Sequence, residues 1–183
     1  VDAATVVAAR QGPAATSIAA ISKAAGVPTG SIYHRMPSRD ELLAEICLSA
    51  AERFQAMVRE QIANARTEDD AVECALLTPR FARSDHASAV VLNSHRREEF
   101  IRANAPEEYR ARAVKLGAEL REGIAQAASQ LLSGDPKAKE KIAVALIGIP
   151  LGAVRIFLPQ AVPPVEVDAT IEAAVRAALR SGQ

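Results

Sequence analysis

The chain has 183 residues, enough for one good core or for a small head on a larger body, and 49% of them are hydrophobic, which argues against disorder. Aromatic residues make up only 3%, Trp is absent and alanine is abundant, so summed propensity predicts an all-α protein. The formal charge of zero hides an uneven distribution: no Asp or Glu lies between Asp2 and Asp40, a stretch that carries Arg10, Lys23, Arg35 and Arg39, leaving 18 basic against 22 acidic residues for the rest. A cationic head on an acidic body is the electrostatic footprint of a phosphate-backbone partner. Cys47 and Cys74 have no disulfide-framework or zinc-type spacing, which fits a reducing cytoplasm. No apolar run approaches the roughly 20 residues of a membrane span, and no signal segment is present, so a cytoplasmic protein without membrane contact is expected. The chain starts in mid-pattern at Val1 without Met, which implies a preceding N-terminal piece.

The first apolar run, Val1 to Ala9, predicts a helix that ends near Gln11-Gly12-Pro13. Thr16 or Ser17 can cap a second helix, whose Ile18, Ile21 and Ala25 share one face; Gly26 then frees the backbone for a tight turn. Val27 and Ile32 are expected to close that small core from a third helix, about Thr29 to Arg35. Pro37-Ser38-Arg39-Asp40-Glu41 is a capping box, and Leu42, Leu43, Ile46, Ala50, Phe54, Met57, Val58 and Ile62 carry one long helix beyond it. Further helices are predicted from about Glu68 to Ala82, Asp85 to Ile101, Pro106 to Leu132, Asp135 to Leu158 (kinked at Pro150) and Asp168 to Leu179, with a stiff Pro-rich connection before the last.

Two helices joined by a short Gly-containing turn are the helix-turn-helix pattern, which also occurs in ordinary helical bundles. Such a motif reads DNA by placing its second helix in the major groove while its flanks hold phosphates. Here Thr29 and Ser31 offer hydroxyls to bases or phosphates, Gly30 permits close backbone approach, and His34 and Tyr33 reach a base edge and a phosphate respectively. Arg39 and the amides after Ser38 form a second phosphate site, and the acid-free stretch removes repulsion.

The stretch "TSIAAISKAAGVPTGSIYHRMPSRDELL" resembles the DNA-binding head of the TetR family of bacterial transcriptional regulators over roughly residues 1 to 48. The resemblance implies a motif at about 17 to 36, phosphate contacts from Ser17, Tyr33 and Arg39, and Thr29, Ser31 and His34 at or near base edges. Arg35-Met36 stands where the family commonly has an aromatic-Phe pair, so the plug behind the recognition helix is softer. It further implies that residues 49 to 183 form a helical body for ligand binding and dimerisation, in which the last two long helices pair with their copies in a second subunit.

In that body, Gly148, Pro150, Gly152 and Ile156, with Ile171, Val175 and Leu179 on the last helix, are candidates for the dimer interface; a buried core helix would look the same. Phe81, Leu92, Asn93, Phe100, Tyr109 and Leu116 are candidates for a ligand pocket. His86 and His95, nine residues apart, face opposite sides of a helix and make no metal pair; His95 is read as a surface residue beside Arg96-Arg97-Glu98-Glu99. No catalytic or cofactor motif is found, so neither an enzyme nor a cofactor or metal site is expected. The expected function is a homodimeric transcriptional regulator, a repressor released from a palindromic double-stranded operator by a small organic, apolar effector. The alternative is a helical ligand-binding or interaction module that has lost operator binding.

Overall fold

A computed structural model describes residues 1–181, and among these no strand occurs. The chain divides into two compact units, residues 1–53 with 85–116, and residues 54–84 with the chain from 117 onward.

In the first unit, α1 (Asp2–Ala15) is interrupted where the sequence predicts its end: Gly12 has φ 76° and ψ 163°, a conformation open to glycine and costly for other residues. Thr16 donates from its hydroxyl to the Gly12 carbonyl at 2.7 Å, and Ser17 accepts from the Ala20 N–H at 3.1 Å, so Ser17 is the cap of α2 (Ile18–Ala25). At its other end Gly26 adopts the left-handed conformation (φ 66°), letting its N–H reach the Ser22 carbonyl. α3 (Thr29–Arg35) and α4 (Arg39–Asn64) follow; Ser38 caps α4 by accepting from the Glu41 N–H at 3.1 Å, while Glu41 accepts from the Ser38 hydroxyl rather than from its backbone N–H, so half of the predicted capping box forms.

The apolar stripe of α4 is buried at Leu42, Leu43, Ile46, Ala50, Val58 and Ile62, while Met57 is exposed. Its first half shares one core with Ala4, Val7, Ala8, Ile18 and Ile21 of the head and with Val91 and Phe100. The third helix contributes little to that core. Val27 is exposed and Ile32 is only half-buried, so α3 leans on the core rather than closing it.

One long helix is expected over 85–101, and the chain instead forms α6 (His86–Asn93) and α7 (Arg97–Phe100). The Asn93 side chain donates to the Ala89 carbonyl at 2.8 Å, diverting a backbone acceptor, and Glu99 accepts from the Arg96 N–H at 2.8 Å, which starts a new helix. α8 (Glu107–Leu131) supplies Tyr109, Ala113 and Leu116 to a smaller cluster with Ala44 and Leu48.

The second unit is built on α5 (Glu68–Ser84), later turns of α4 and α8, and α9 (Ala138–Ala143), α10 (Ile149–Arg155) and α11 (Val167–Arg180). Between α9 and α10, Val144–Gly148 is a π-helical turn, in which the Ile149 N–H reaches back to the Val144 carbonyl. Pro150 follows directly, and a widened turn ahead of it accommodates the missing N–H. Ile171, Val175 and Leu179 of α11 enter one core with Val72, Ala75, Ile124, Ile142 and Leu146. Arg83 of α5 holds Asp168 of α11 by two hydrogen bonds of 3.0 and 2.8 Å. No helix among the described residues is long and apolar enough to cross a membrane.

Candidate nucleic-acid interface

The polar residues of the proposed recognition helix come together on one solvent-facing surface. Thr29, Gly30, Ser31, Tyr33 and His34 are all exposed, Tyr33 to 52%, and no residue of α3 is buried. A seven-residue helix with so few core contacts is held by its ends: Gly26 fixes the turn before it, and the Met36 N–H closes it on the Ile32 carbonyl at 2.8 Å. Met36 and Ile32 are half-buried against the head core, as a softer plug would leave them. Behind them an open cavity of about 560 Å³ is lined by Ile21, Val27, Ile32, Met36 and Leu42 among others.

Two of the sequence-predicted phosphate contacts have structural work as well. Ser17 caps α2 with its hydroxyl. Arg39 donates from Nε to the Thr16 carbonyl at 2.6 Å and from Nη2 to the carbonyls of Pro13 and Ala14, so its guanidinium terminates α1. Its remaining nitrogen, Nη1, lies 3.9 Å from the Asp40 carboxylate.

His95 is not the surface histidine that its charged neighbours suggest. It is half-buried, 5.9 Å from the Phe100 ring centroid in an edge-on arrangement, and its Cε1 would lie 3.3 Å from a Cβ at Gly12. The end of α6 thereby abuts the break in α1, a contact between distant positions that no periodicity announces. Arg102 is the second residue that sequence reasoning misses: its guanidinium lies 3.6 Å from Asp40 at the start of α4.

The six pocket candidates are divided between the two units and between clusters within the first. Phe81 belongs to the second unit, where its ring meets Phe54 at a centroid distance of 5.2 Å. Leu92 and Phe100 pack in the head core, and Tyr109 and Leu116 in the smaller cluster with Ala44 and Leu48. Asn93 spends its amide on Ala89. The second unit does contain a groove of about 280 Å³, floored by Val58, Ile62 and Leu120 and rimmed by Gln55, Arg59, Glu119 and Gln126. Among the interface candidates, Ile171, Val175, Leu179 and Pro150 are buried within the chain's own fold, whereas Gly148, Gly152 and Ile156 are exposed, Ile156 to 76%. Val144, in line with them at four-residue spacing, is exposed too. Burial pushes the thiols of Cys47 and Cys74 up to about 11, so neither is a nucleophile near neutral pH.

A short capped helix, a left-handed glycine turn, a solvent-facing polar helix and a long capped helix behind it define a helix-turn-helix head attached to an all-helical body. Residues 1–46 match the model of the bacterial regulatory proteins of the tetR family, so the chain carries the TetR-type head. The whole chain has the fold of such regulators. It is similar to the fatty acid degradation regulator FadR from Bacillus halodurans (TM-score 0.71, 18% identity, 100% of this chain and 97% of that one). It is likewise similar to FadR from Bacillus subtilis, solved in complex with stearoyl-CoA (0.69, 17%, 100% and 96%), and to PfmR from Thermus thermophilus (0.69, 18%, 100% and 97%). A search of curated proteins finds no significant match.

Proposed function

We propose that the protein is a DNA-binding transcriptional regulator that acts as a homodimeric repressor on a palindromic operator and is released by a small organic effector. Residues 1–48 are the DNA-binding part and residues 49–183 bind effector and partner subunit. The observation that carries this reading is the carboxylate-free, solvent-facing polar surface of α3 on a TetR-type head. Thr29, Ser31 and His34 face base edges, Gly30 allows close approach, and Tyr33, Ser17 and Arg39 lie towards phosphates, Arg39 through Nη1 only.

The partner subunit packs on the small-residue face of Val144, Gly148, Gly152 and Ile156, since large exposed apolar side chains beside glycines suit close helix approach. The effector enters the groove between α4 and α8, whose apolar floor and polar rim suit an organic molecule with one polar end. Stearoyl-CoA on the Bacillus subtilis regulator is consistent with an apolar portion in the effector of this chain. The effector prefers a conformation in which the two recognition helices are wrongly spaced for successive major grooves, and a tenfold release requires about 1.4 kcal/mol of differential binding.

Selection from a pool of randomised duplexes at physiological salt tests the reading, with Tyr33→Ala as the control. Enrichment of an inverted repeat by the natural sequence and not by the variant is expected. No enrichment by either protein, with no co-purified ligand in the denatured sample, overturns operator binding in favour of a module that has kept the head as scaffold.

A further inference from the structure

The entrance of α4, which the proposed function turns towards phosphates, carries two adjacent carboxylates, Asp40 and Glu41. Glu41 is engaged by the Ser38 hydroxyl, which donates to it at 3.0 Å. Asp40 has no such cap, and an uncovered carboxylate there would repel the duplex. Arg39, its chain neighbour, cannot serve it fully, because Nε and Nη2 are committed to the carbonyls of Thr16, Pro13 and Ala14 and only Nη1 approaches Asp40 Oδ1, at 3.9 Å. The other carboxylate oxygen, Oδ2, faces Arg102 Nη1 at 3.6 Å. The two oxygens of Asp40 thus face Arg39 and Arg102, and removing Arg102 leaves Asp40 facing only the largely committed Arg39 guanidinium across these two pairs.

Arg102 does not arrive there by chance of a floppy loop. Phe100, two residues earlier, is buried in the head core beside Leu43 and Ile46, and Ile101 packs against two apolar clusters. Ala105 is buried on the far side and its N–H bonds to the Arg102 carbonyl at 3.0 Å. The segment is thus pinned on both sides of Arg102, which holds its half-exposed guanidinium, 54% exposed, beside Asp40.

We propose that Arg102 is a positioning residue for DNA, contributed from outside the helix-turn-helix, that cancels Asp40 so the entrance of α4 can approach the phosphate backbone. This rests on the proposed DNA-binding function. As an exposed ion pair it contributes little to folding, so its consequence is read in binding and in salt dependence.

The test is anisotropy of a labelled random-sequence duplex with the full chain from about 50 to 200 mM salt, the range over which released counterions set affinity. Arg102→Gln, Asp40→Asn, the double variant and Arg102→Lys are compared with the natural sequence. Expected is a several-fold loss for Arg102→Gln at low salt with an unmoved melting midpoint, partial rescue by Arg102→Lys, and recovery of natural affinity in the double variant. Unchanged binding by Arg102→Gln, while the natural protein binds with a steep salt slope, overturns this inference alone. An equal loss in the Asp40→Asn background also overturns it, since Arg102 would then act on phosphate without Asp40. If the natural protein shows no salt-dependent binding at all, the DNA-binding reading falls and this inference falls with it.

Discussion

Residue by residue, the head shows side chains serving fold and function at once, and their variants separate the two. Arg39 donates to three carbonyls at the end of α1, which has no basic side chain of its own in the last turn. Arg39→Ala leaves the partly buried Thr16 carbonyl without its guanidinium donor and is expected to lower stability by about 1–3 kcal/mol, measured by denaturant titration. An Arg39→Ala protein as stable as the natural one, with weakened DNA binding, would show the phosphate role to be the dominant one. Tyr33 and His34 make no contribution to the core, so their variants should leave stability unchanged. Tyr33→Ala is expected to weaken binding to all duplexes, whereas His34→Ala and Thr29→Ala change sequence preference; equal losses for all three on specific and random DNA would sink these assignments. The polar types on α3 are legible in the sequence because helix position alone exposes them. The second duty of Arg39 is not, since it depends on carbonyls 23 to 26 residues away.

Elements are joined by contacts of the same distant kind. Gly12→Ala would force a non-glycine residue to φ 76° and bring a methyl within 3.3 Å of His95, so we expect a loss of about 1–3 kcal/mol, visible as a lower melting midpoint. A variant as stable as the natural protein would mean that α1 straightens at no cost. α4 and α8 are tied in the first unit by Arg112, which bonds Glu45 at 2.6 Å and Glu52 at 3.0 Å. Burial alone would raise the Glu45 carboxyl, and the hydrogen bonds from Arg112 and Ser49 outweigh it, so its pKa is held below the ordinary 4.5. A carboxyl with a lowered folded pKa stabilises the fold above its unfolded pKa and loses that contribution as pH falls through the folded value. Glu45→Gln is therefore expected to flatten the fall of stability below about pH 4.5, measured by thermal melts across pH; an unchanged profile would assign acid sensitivity elsewhere. Helix starts at Ser17 and Ser38 are readable from capping chemistry, whereas the break after Asn93 is not, because the polar run from Asn93 to Glu99 holds no Gly or Pro to announce it.

For the molecule as a whole, the proposed dimer makes the sharpest distinction between buried and available surface. Ile171, Val175 and Leu179 have the helical spacing of an interface and are consumed by the chain's own core, while Gly152 and Ile156 remain outside it. Ile156→Glu is expected to convert a dimer to a monomer in sedimentation equilibrium and to weaken operator binding, because two half-sites are then no longer engaged together. Leu179→Ala should instead cost about 2–5 kcal/mol of stability, as a core truncation does. A dimer that survives Ile156→Glu would place the partner on another face.

The sequence by itself determined what depends on neighbours along the chain: an all-helical protein, the capped helices of the head, a tight turn at Gly26, and an acid-free stretch with a polar recognition helix. Periodicity, capping and local charge act over a few residues, so a linear string contains them. Tertiary structure alone decided which apolar residues are core and which are free, the placing of His95 against Gly12, and the gathering of Arg39, Asp40 and Arg102 at one helix end. Each of those follows from how helices far apart in the chain pack side by side, and helical period specifies an apolar face without naming what will cover it.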